Sequence, residues 1–312
     1  MGTILGVKTT MGDSYVIVTP AFNEAGYLGR AVESVAQQTV PPLRWVVVDD
    51  GSTDDTAATV DSYAQTHSFL RCLRRPRDGK EAYFASNVHA IMEGVRHLAD
   101  LPYEYLAVLD ADITLPADYY EQILAQFRAD PQLGVASGVY ENLVDGRLQK
   151  VLNDRRSTPK AIQVFRRTCF EQIGGYVPLA HGGEDTCACV MARMHGWRSW
   201  SFPHLKAIHL RPTGVRNARS LLRARFLQGL CEYGLSTHPL FMIVKSLRRC
   251  LLEPPLLVGG VLRLSGYAYG YLKREPCRMP AEVAAYIRQE QVNRVFFLNR
   301  VPKKDKVYAD SA

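Results

Sequence analysis

The sequence predicts an α/β fold, with a mostly parallel central sheet, helices on both faces and a basic helical extension after it. Three observations support this. Short apolar runs alternate with segments of helical period through residues 13–130, which is the pattern of βαβ units. Most of these runs are continuously apolar, as strands are when helices cover both faces of their sheet. Three of the four runs end in acids or turn formers. That gathers polar clusters on one edge of one sheet, the carboxyl edge where open α/β sheets bind ligands.

The elements follow in order. Tyr15-Val16-Ile17-Val18 is the first strand, ended by the turn Thr19-Pro20-Ala21-Phe22-Asn23-Glu24. Leu28, Ala31, Val32, Val35 and Ala36 then recur at helical spacing. Trp45-Val46-Val47-Val48 is the second strand, closed by Asp49-Asp50-Gly51-Ser52-Thr53-Asp54. Residues 56–63 read as a helix, 69–73 as a third strand, 85–98 as a helix and 105–109 as a fourth strand. The stretch 131–215 is less regular. Strands are expected at 135–140 and 161–165, a turn at Gly174-Gly175-Tyr176, and a helix opened by Gly182-Gly183-Glu184-Asp185. Two short strands are expected at 197–200 and 207–210.

Residues 216–312 change character. Leu221, Leu222, Phe226, Leu227 and Leu230 form an apolar stripe beside Arg219, Arg223 and Arg225, and residues 241–252 repeat the pattern with Lys245, Arg248 and Arg249. Residues 1–210 hold 20 Lys/Arg against 24 Asp/Glu, residues 211–278 hold 12 against 3, and residues 279–312 hold 6 against 4, giving a net charge of +7. The basic character is therefore local. A spanning helix needs about 20 predominantly apolar residues, and the stretch 251–272 is interrupted by Glu253, Pro254, Pro255 and Arg263. Basic helices rich in leucine and aromatics fit a peripheral membrane contact. A helical cap or a dimer surface fits the same amphipathic pattern. No nucleic-acid motif accompanies the charge, so no nucleic-acid partner is expected.

The bulk properties agree with a globular chain. At 312 residues and 47% hydrophobic, it supports one large α/β domain with an appendage. Residues 1–12 read as a tail without an apolar signal core, so no export signal is expected. The seven scattered cysteines read as free thiols in a reducing, cytoplasmic compartment. Cys187 and Cys189 lack a second pair at zinc-ligand spacing.

Asp110 and Asp112 stand one residue apart where the fourth strand emerges. Two carboxylates there suit a hard divalent cation that shares phosphate oxygens. With Thr114, Pro116 and Asp118 following, they also suit the start of a helix.

Val18-Thr19-Pro20-Ala21-Phe22-Asn23-Glu24, Val48-Asp49-Asp50-Gly51-Ser52-Thr53-Asp54, Leu109-Asp110-Ala111-Asp112 and Gly183-Glu184-Asp185 occur in this order. Together they resemble the motifs of family 2 glycosyltransferases of the GT-A fold, over about residues 13–210. The resemblance implies a nucleotide-sugar-binding half at 13–130 and an acceptor-binding half at 131–215. The tail, 216–312, is similar to that of bacterial members in polysaccharide or lipid-linked glycan assembly. By the same resemblance, Pro20 and Phe22 wall the base, Asp50 accepts its hydrogen bond, Glu24 holds the ribose, and Lys80 and Asp110 face the diphosphate. Asp110, Asp112 and His209 would hold Mn²⁺ or Mg²⁺. Asp185 would be the general base that deprotonates an acceptor hydroxyl, with Glu184 positioning the acceptor.

Ordinary roles also fit these residues. Residues 49–54 make a good turn and helix cap. Lys80 follows a basic run (Arg71, Arg74, Arg75, Arg77) that reads as solvated. A lone histidine in an apolar run is commonly a core residue, and an acidic pair is favoured at any helix start. The Gln-x-x-Arg-Trp motif of processive members is missing, so single-sugar transfer is expected. The expected protein is an inverting, metal-dependent glycosyltransferase acting on a glycan or lipid-linked glycan at the inner face of the cell membrane. The alternative is a non-catalytic nucleotide-sugar-binding protein on the same fold.

Overall fold

The four apolar runs become four parallel strands: β1 (Tyr15–Ala21), β2 (Arg44–Asp50), β3 (Leu70–Arg75) and β4 (Tyr105–Leu109), in the order β3-β2-β1-β4. They are seen in a computed structural model that describes residues 14–79, 82–151, 154–211, 220–252, 255–276 and 279–296. Ile17, Trp45, Val47 and Ala107 enter one core with Leu28, Val32 and Val35 of α1 (Ala25–Ala36) and Val60 of α2 (Thr56–Ala64). Val16, Val18, Val46, Val48 and Val108 enter a second core with Val88 and Ile91 of α3 (Tyr83–His97). Successive strand residues thus face opposite cores, which is why the runs show no polar alternation.

Beyond β4 the sheet continues as β8 (Ile162–Arg166), β6 (Leu133–Val144), β9 (Arg198–His209) and β5 (Ile113–Thr114), with β7 (Arg147–Lys150) hairpinned onto β6. Here the pairing is mixed: β4–β8, β6–β8 and β5–β9 are antiparallel and β6–β9 is parallel. Three helices serve this half: α4 (Tyr119–Ala129), α5 (Arg167–Gln172) and α6 (Glu184–Met194).

Two elements differ from the sequence expectation. The short strands at 197–200 and 207–210 are one strand, β9; Pro203 lies exposed within it, and register shifts near Ser137 and Val139 of β6 absorb the irregularity. β6 runs on to Val144 and turns back through Asp145 and Gly146, both at positive φ (49° and 74°). An Asp-Gly pair suits a two-residue hairpin turn.

The extension folds into α7 (Leu221–Gly234), α8 (Pro239–Leu252), α9 (Val258–Lys273) and α10 (Ala281–Val295). α7 and α9 cross closely at glycines: a Cβ on Gly266 would stand 2.0 Å from the Phe226 carbonyl oxygen, and one on Gly229 would stand 1.9 Å from that of Arg263. Leu235, Val283 and Ile287 join Leu179, Cys187 and Val190 in a third core that fastens the extension to α6. Full burial of such aliphatic side chains contributes about 2 kcal/mol each. Among the described residues, no helix is long and apolar enough to cross a membrane.

Candidate active site

The carboxyl ends of β1 and β4 open onto a cavity of about 500 Å³. Its lining includes Pro20, Glu24, Asp110, Asp112, Glu184, Asp185 and His209. Seven residues named from sequence therefore share one space. Phe22 and Asp50 are not among its lining residues, and Lys80 lies outside the described residues.

Strand pairing places the two aspartates. The Asp110 amide donates to the Ala161 carbonyl (3.0 Å) at the start of β8, and the Leu210 amide donates to the Asp112 carbonyl (2.9 Å) at the end of β9. Ile113 sits opposite His209 in the β5–β9 register, which brings the imidazole onto Asp112. His209 Nε2 lies 3.0 Å from Asp112 Oδ2, while Nδ1 faces Asn142 Oδ1 at 3.1 Å.

Two cations that sequence reading missed complete this edge. Arg211 bridges Asp112 and Glu24, the latter at 2.5 Å. Burial alone would raise Asp112; its hydrogen bond to His209 and the Arg211 charge outweigh burial and hold the carboxyl at about 2. Lys160 Nζ lies 2.6 Å from Asp110 Oδ1 and 3.2 Å from Asn87 Oδ1. Burial would lower its ammonium, but the charges of Asp110 and Glu184 raise it instead.

The residues expected to hold the metal are already paired within the protein. Asp110 is turned to Lys160, and the described residues hold no cluster of three or more His, Cys, Asp or Glu donors placed around one ion. What they do present is an imidazole nitrogen facing a carboxylate, with the other ring nitrogen held by a side-chain carbonyl. That is the second-shell arrangement of a metal-ligating histidine, and the N/O donor set suits Mn²⁺ or Mg²⁺ completed by phosphate and water. Both aspartates carry a cation, Asp110 that of Lys160 and Asp112 that of Arg211, so an ion held by Asp110, Asp112 and His209 would take these carboxylates in place of the two cations.

The acid pair opens α6. Gly183 precedes it at φ 94°, and a Cβ there would meet Leu235 at 2.9 Å, so the backbone needs glycine for both conformation and space. Asp185 is held through both oxygens: Oδ1 accepts from the Thr186 amide (2.7 Å) and Oδ2 from the Lys160 amide (3.2 Å). Glu184 is 3% exposed, and its Oε2 has no hydrogen-bond partner among the described residues. Burial and the neighbouring Asp185 charge push Glu184 up to about 7, against the pull of Lys160. Burial raises Asp185 too, against hydrogen bonds from the Thr186 and Lys160 amides.

Asp50 and Phe22, the expected base-binding residues, are engaged by neighbouring side chains. Asp50 is buried beneath Arg75 (3.0 Å) and Arg77 (3.4 Å) and accepts from Ser86 Oγ (2.6 Å). The Arg77 guanidinium also covers the Phe22 ring, 4.1 Å from its centroid. Two arginines of the basic run, Arg75 and Arg77, thus cover these residues, while Arg71 and Arg74 are exposed. The surrounding loop is clamped: Thr53 donates to Asn23 Oδ1 (2.8 Å), and Glu24 donates through its amide to Thr56 Oγ1 (2.8 Å).

A mixed sheet built on a β3-β2-β1-β4 core, with acids at its carboxyl edge, defines the architecture of GT-A glycosyltransferases. The chain belongs to glycosyl transferase family 2, whose model matches residues 16–180. Among curated relatives, a 4,4'-diaponeurosporenoate glycosyltransferase of Staphylococcus aureus is 34% identical over 125 residues, 40% of this chain. That match spans only 31% of the relative's length. Among solved structures, a mannosyltransferase of Pyrobaculum calidifontis in complex with GDP-Man and Mn²⁺ superposes with a TM-score of 0.53 at 18% identity, covering 91% of this chain and 88% of that one. GalNAc-T7 with UDP, GalNAc and Mn²⁺ superposes with a TM-score of 0.52 at 16% identity, covering 85% and 58%. At these identities the structural likeness concerns the fold.

Proposed function

We propose that this chain is an inverting glycosyltransferase that moves one sugar from a nucleotide-sugar donor to a hydroxyl of a glycan or lipid-linked glycan. The observation that carries the reading is convergence: Glu24, Asp110, Asp112, Glu184, Asp185 and His209, scattered over 186 residues of sequence, line one cavity at the carboxyl edge of the sheet. The acceptor oxygen attacks the anomeric carbon, the bond to the diphosphate breaks, and Asp185 takes the acceptor proton. Its two amide hydrogen bonds fix its orientation, and Glu184 beside it positions the acceptor. Asp112 and His209 would hold Mn²⁺ or Mg²⁺, which supplies Lewis-acid stabilisation of the leaving diphosphate. The solved glycosyltransferases of the same fold that carry Mn²⁺ support metal use.

We also place the reaction at the inner face of the cell membrane. Leu240, Ile243, Val244, Leu247 and Leu251 form one exposed stripe on α8, with Arg248 beside it. Such a face suits an anionic bilayer surface, where apolar burial and charge act together.

The test is a screen of nucleotide sugars by thermal shift and nucleotide release. Donor binding raises the melting temperature by mass action, and stabilisation by one donor with Mn²⁺, lost in EDTA and in Asp112→Asn, is expected. Transfer should vanish in Asp185→Asn. Full activity in EDTA, or in Asp185→Asn, would sink the reading.

A further inference from the structure

The last helix of the extension reaches both elements that carry the site's acids and its lysine. Glu290 of α10 takes the Arg193 guanidinium side-on, with Nε 3.0 Å from Oε1 and Nη2 2.8 Å from Oε2. Arg156 Nη2 lies 2.8 Å from the same Oε1. The side chains of Arg193 and Glu290 are only 11% and 10% exposed, so the pair is held away from water. Burial would raise Glu290; the charge and hydrogen bonds of Arg193, with Arg156, hold it below its ordinary value.

Arg193 stands in the last turn of α6, the helix that Glu184 and Asp185 open. Its Nη1 donates to the Arg156 carbonyl (2.9 Å) and to Ser199 Oγ (2.7 Å), and that hydroxyl donates to the same carbonyl (2.7 Å). One turn further along α10, Arg294 pairs with Asp154 (2.5 Å), whose Oδ1 accepts from the Arg156 amide (3.1 Å). Residues 154–156 are thus gripped from behind. A few residues on, the same segment delivers the Lys160 amide to Asp185 and the Lys160 ammonium to Asp110. Asp154, Arg156, Arg193, Glu290 and Arg294 also line a second cavity of about 460 Å³. On that side, charge pairing more than close packing holds the segment.

We propose that Glu290 is a positioning residue for the transfer: through Arg193 and Arg156 it sets residues 154–160 against α6, so that Lys160 meets Asp185 and Asp110 together. A bidentate ion pair fixes orientation, where apolar contact alone is non-directional. Misplacing reacting groups by about 1 Å can cost ~100-fold in rate, even when the cause lies far from the chemistry. The proposal rests on the transferase reading for the rate it governs, while the placement of residues 154–160 is measurable without any transfer.

The experiment compares the full-length wild type with Glu290→Gln, Glu290→Asp and Arg294→Gln. Amide hydrogen exchange is followed by mass spectrometry, and kcat and KM are measured with the donor found in the nucleotide-sugar screen. In Glu290→Gln, exchange in residues 154–161 is expected to accelerate roughly tenfold or more while β1 and β2 keep their protection. kcat should fall roughly tenfold or more with the donor KM within about twofold of wild type. Glu290→Asp keeps the charge and should restore most of both. Arg294→Gln removes a half-exposed pair and should move both in the same direction by less; it carries the test if Glu290→Gln does not fold. Unchanged exchange at 154–161 overturns the proposal, as does faster exchange with an unchanged kcat. Acceleration spread evenly over β1 and β2 marks a general loss of stability and also overturns it. A wild type that transfers from no donor removes the transferase reading; acceleration confined to 154–161 then still supports the clamp, and its absence overturns it.

Discussion

Lys160 is tied to Asp185 through its backbone amide, 3.2 Å from Oδ2, while its ammonium reaches Asp110 at 2.6 Å. One residue thus links the acids that follow β4 to the acids that open α6. Its position comes from β8 running antiparallel to β4, which sets Ala161 against Asp110.

Lys160→Met should lower kcat by at least ~100-fold, the scale seen when one preorganised electrostatic partner is lost. Its charge opposes the rise of Glu184, so the acidic limb of the pH–rate profile should also move to higher pH. Lys160→Arg keeps the charge and should restore part of the rate and most of the profile. A rate loss with an unshifted profile would show that Lys160 acts by shape alone.

Glu184 makes stability depend on pH with a defined sign. Its carboxyl rises from the ordinary 4.5 to about 7 in the folded chain, so the native state binds the proton more readily than the unfolded one. That contribution is fully present below pH 4.5 and is lost as pH rises through about 7. Urea unfolding should show Glu184→Gln to be more stable than wild type at pH 8, with the gap closing by pH 4. Activity should run the other way, climbing with pH through about 7 as Glu184 ionises.

Arg77 covers Phe22 and pairs with Asp50. Arg77→Ala should destabilise the fold by about 1–2 kcal/mol, from lost cation–π contact and a weakened buried ion pair. Fluorescence titration should show donor affinity reduced roughly tenfold if these residues hold the base. Unchanged affinity would exclude Phe22 and Asp50 from nucleotide binding.

The stripe on α8 predicts vesicle binding. The full chain should float with vesicles containing anionic lipid and remain behind with neutral ones, and added salt should weaken the association. Leu247→Glu with Leu251→Glu should reduce partitioning by ~100-fold or more, since each leucine contributes about 2 kcal/mol when it enters the bilayer. Both positions are more than half exposed, so folding should be unaffected.

Much of this was legible in the chain. Continuous apolar runs specified the parallel strands because helices cover both faces of that sheet, and acids at strand ends specified its carboxyl edge. Arg211 could have been found: it lies two residues beyond His209, the spacing at which alternating side chains share a face. Lys160 had no comparable signal, because Pro159-Lys160-Ala161 is patternless and gains meaning only from the β4–β8 pairing. Arg75 and Arg77 gave no signal of their own, because a run of positive charge is ordinarily solvated, as Arg71 and Arg74 are. Here β3 lies beside β2 in register, with Arg75 opposite Asp50, and the shared position brings Arg75 onto that carboxylate.

The contact between Gly183 and Leu235 has a temporal side. Leu235 follows the acid pair by some fifty residues, and it packs on the glycine that aims those acids. On a growing chain, the strands β1 to β4 can therefore pair well before Glu184 and Asp185 are held in place. Glu184 and Asp185 thus take their final setting only after α7 has been made.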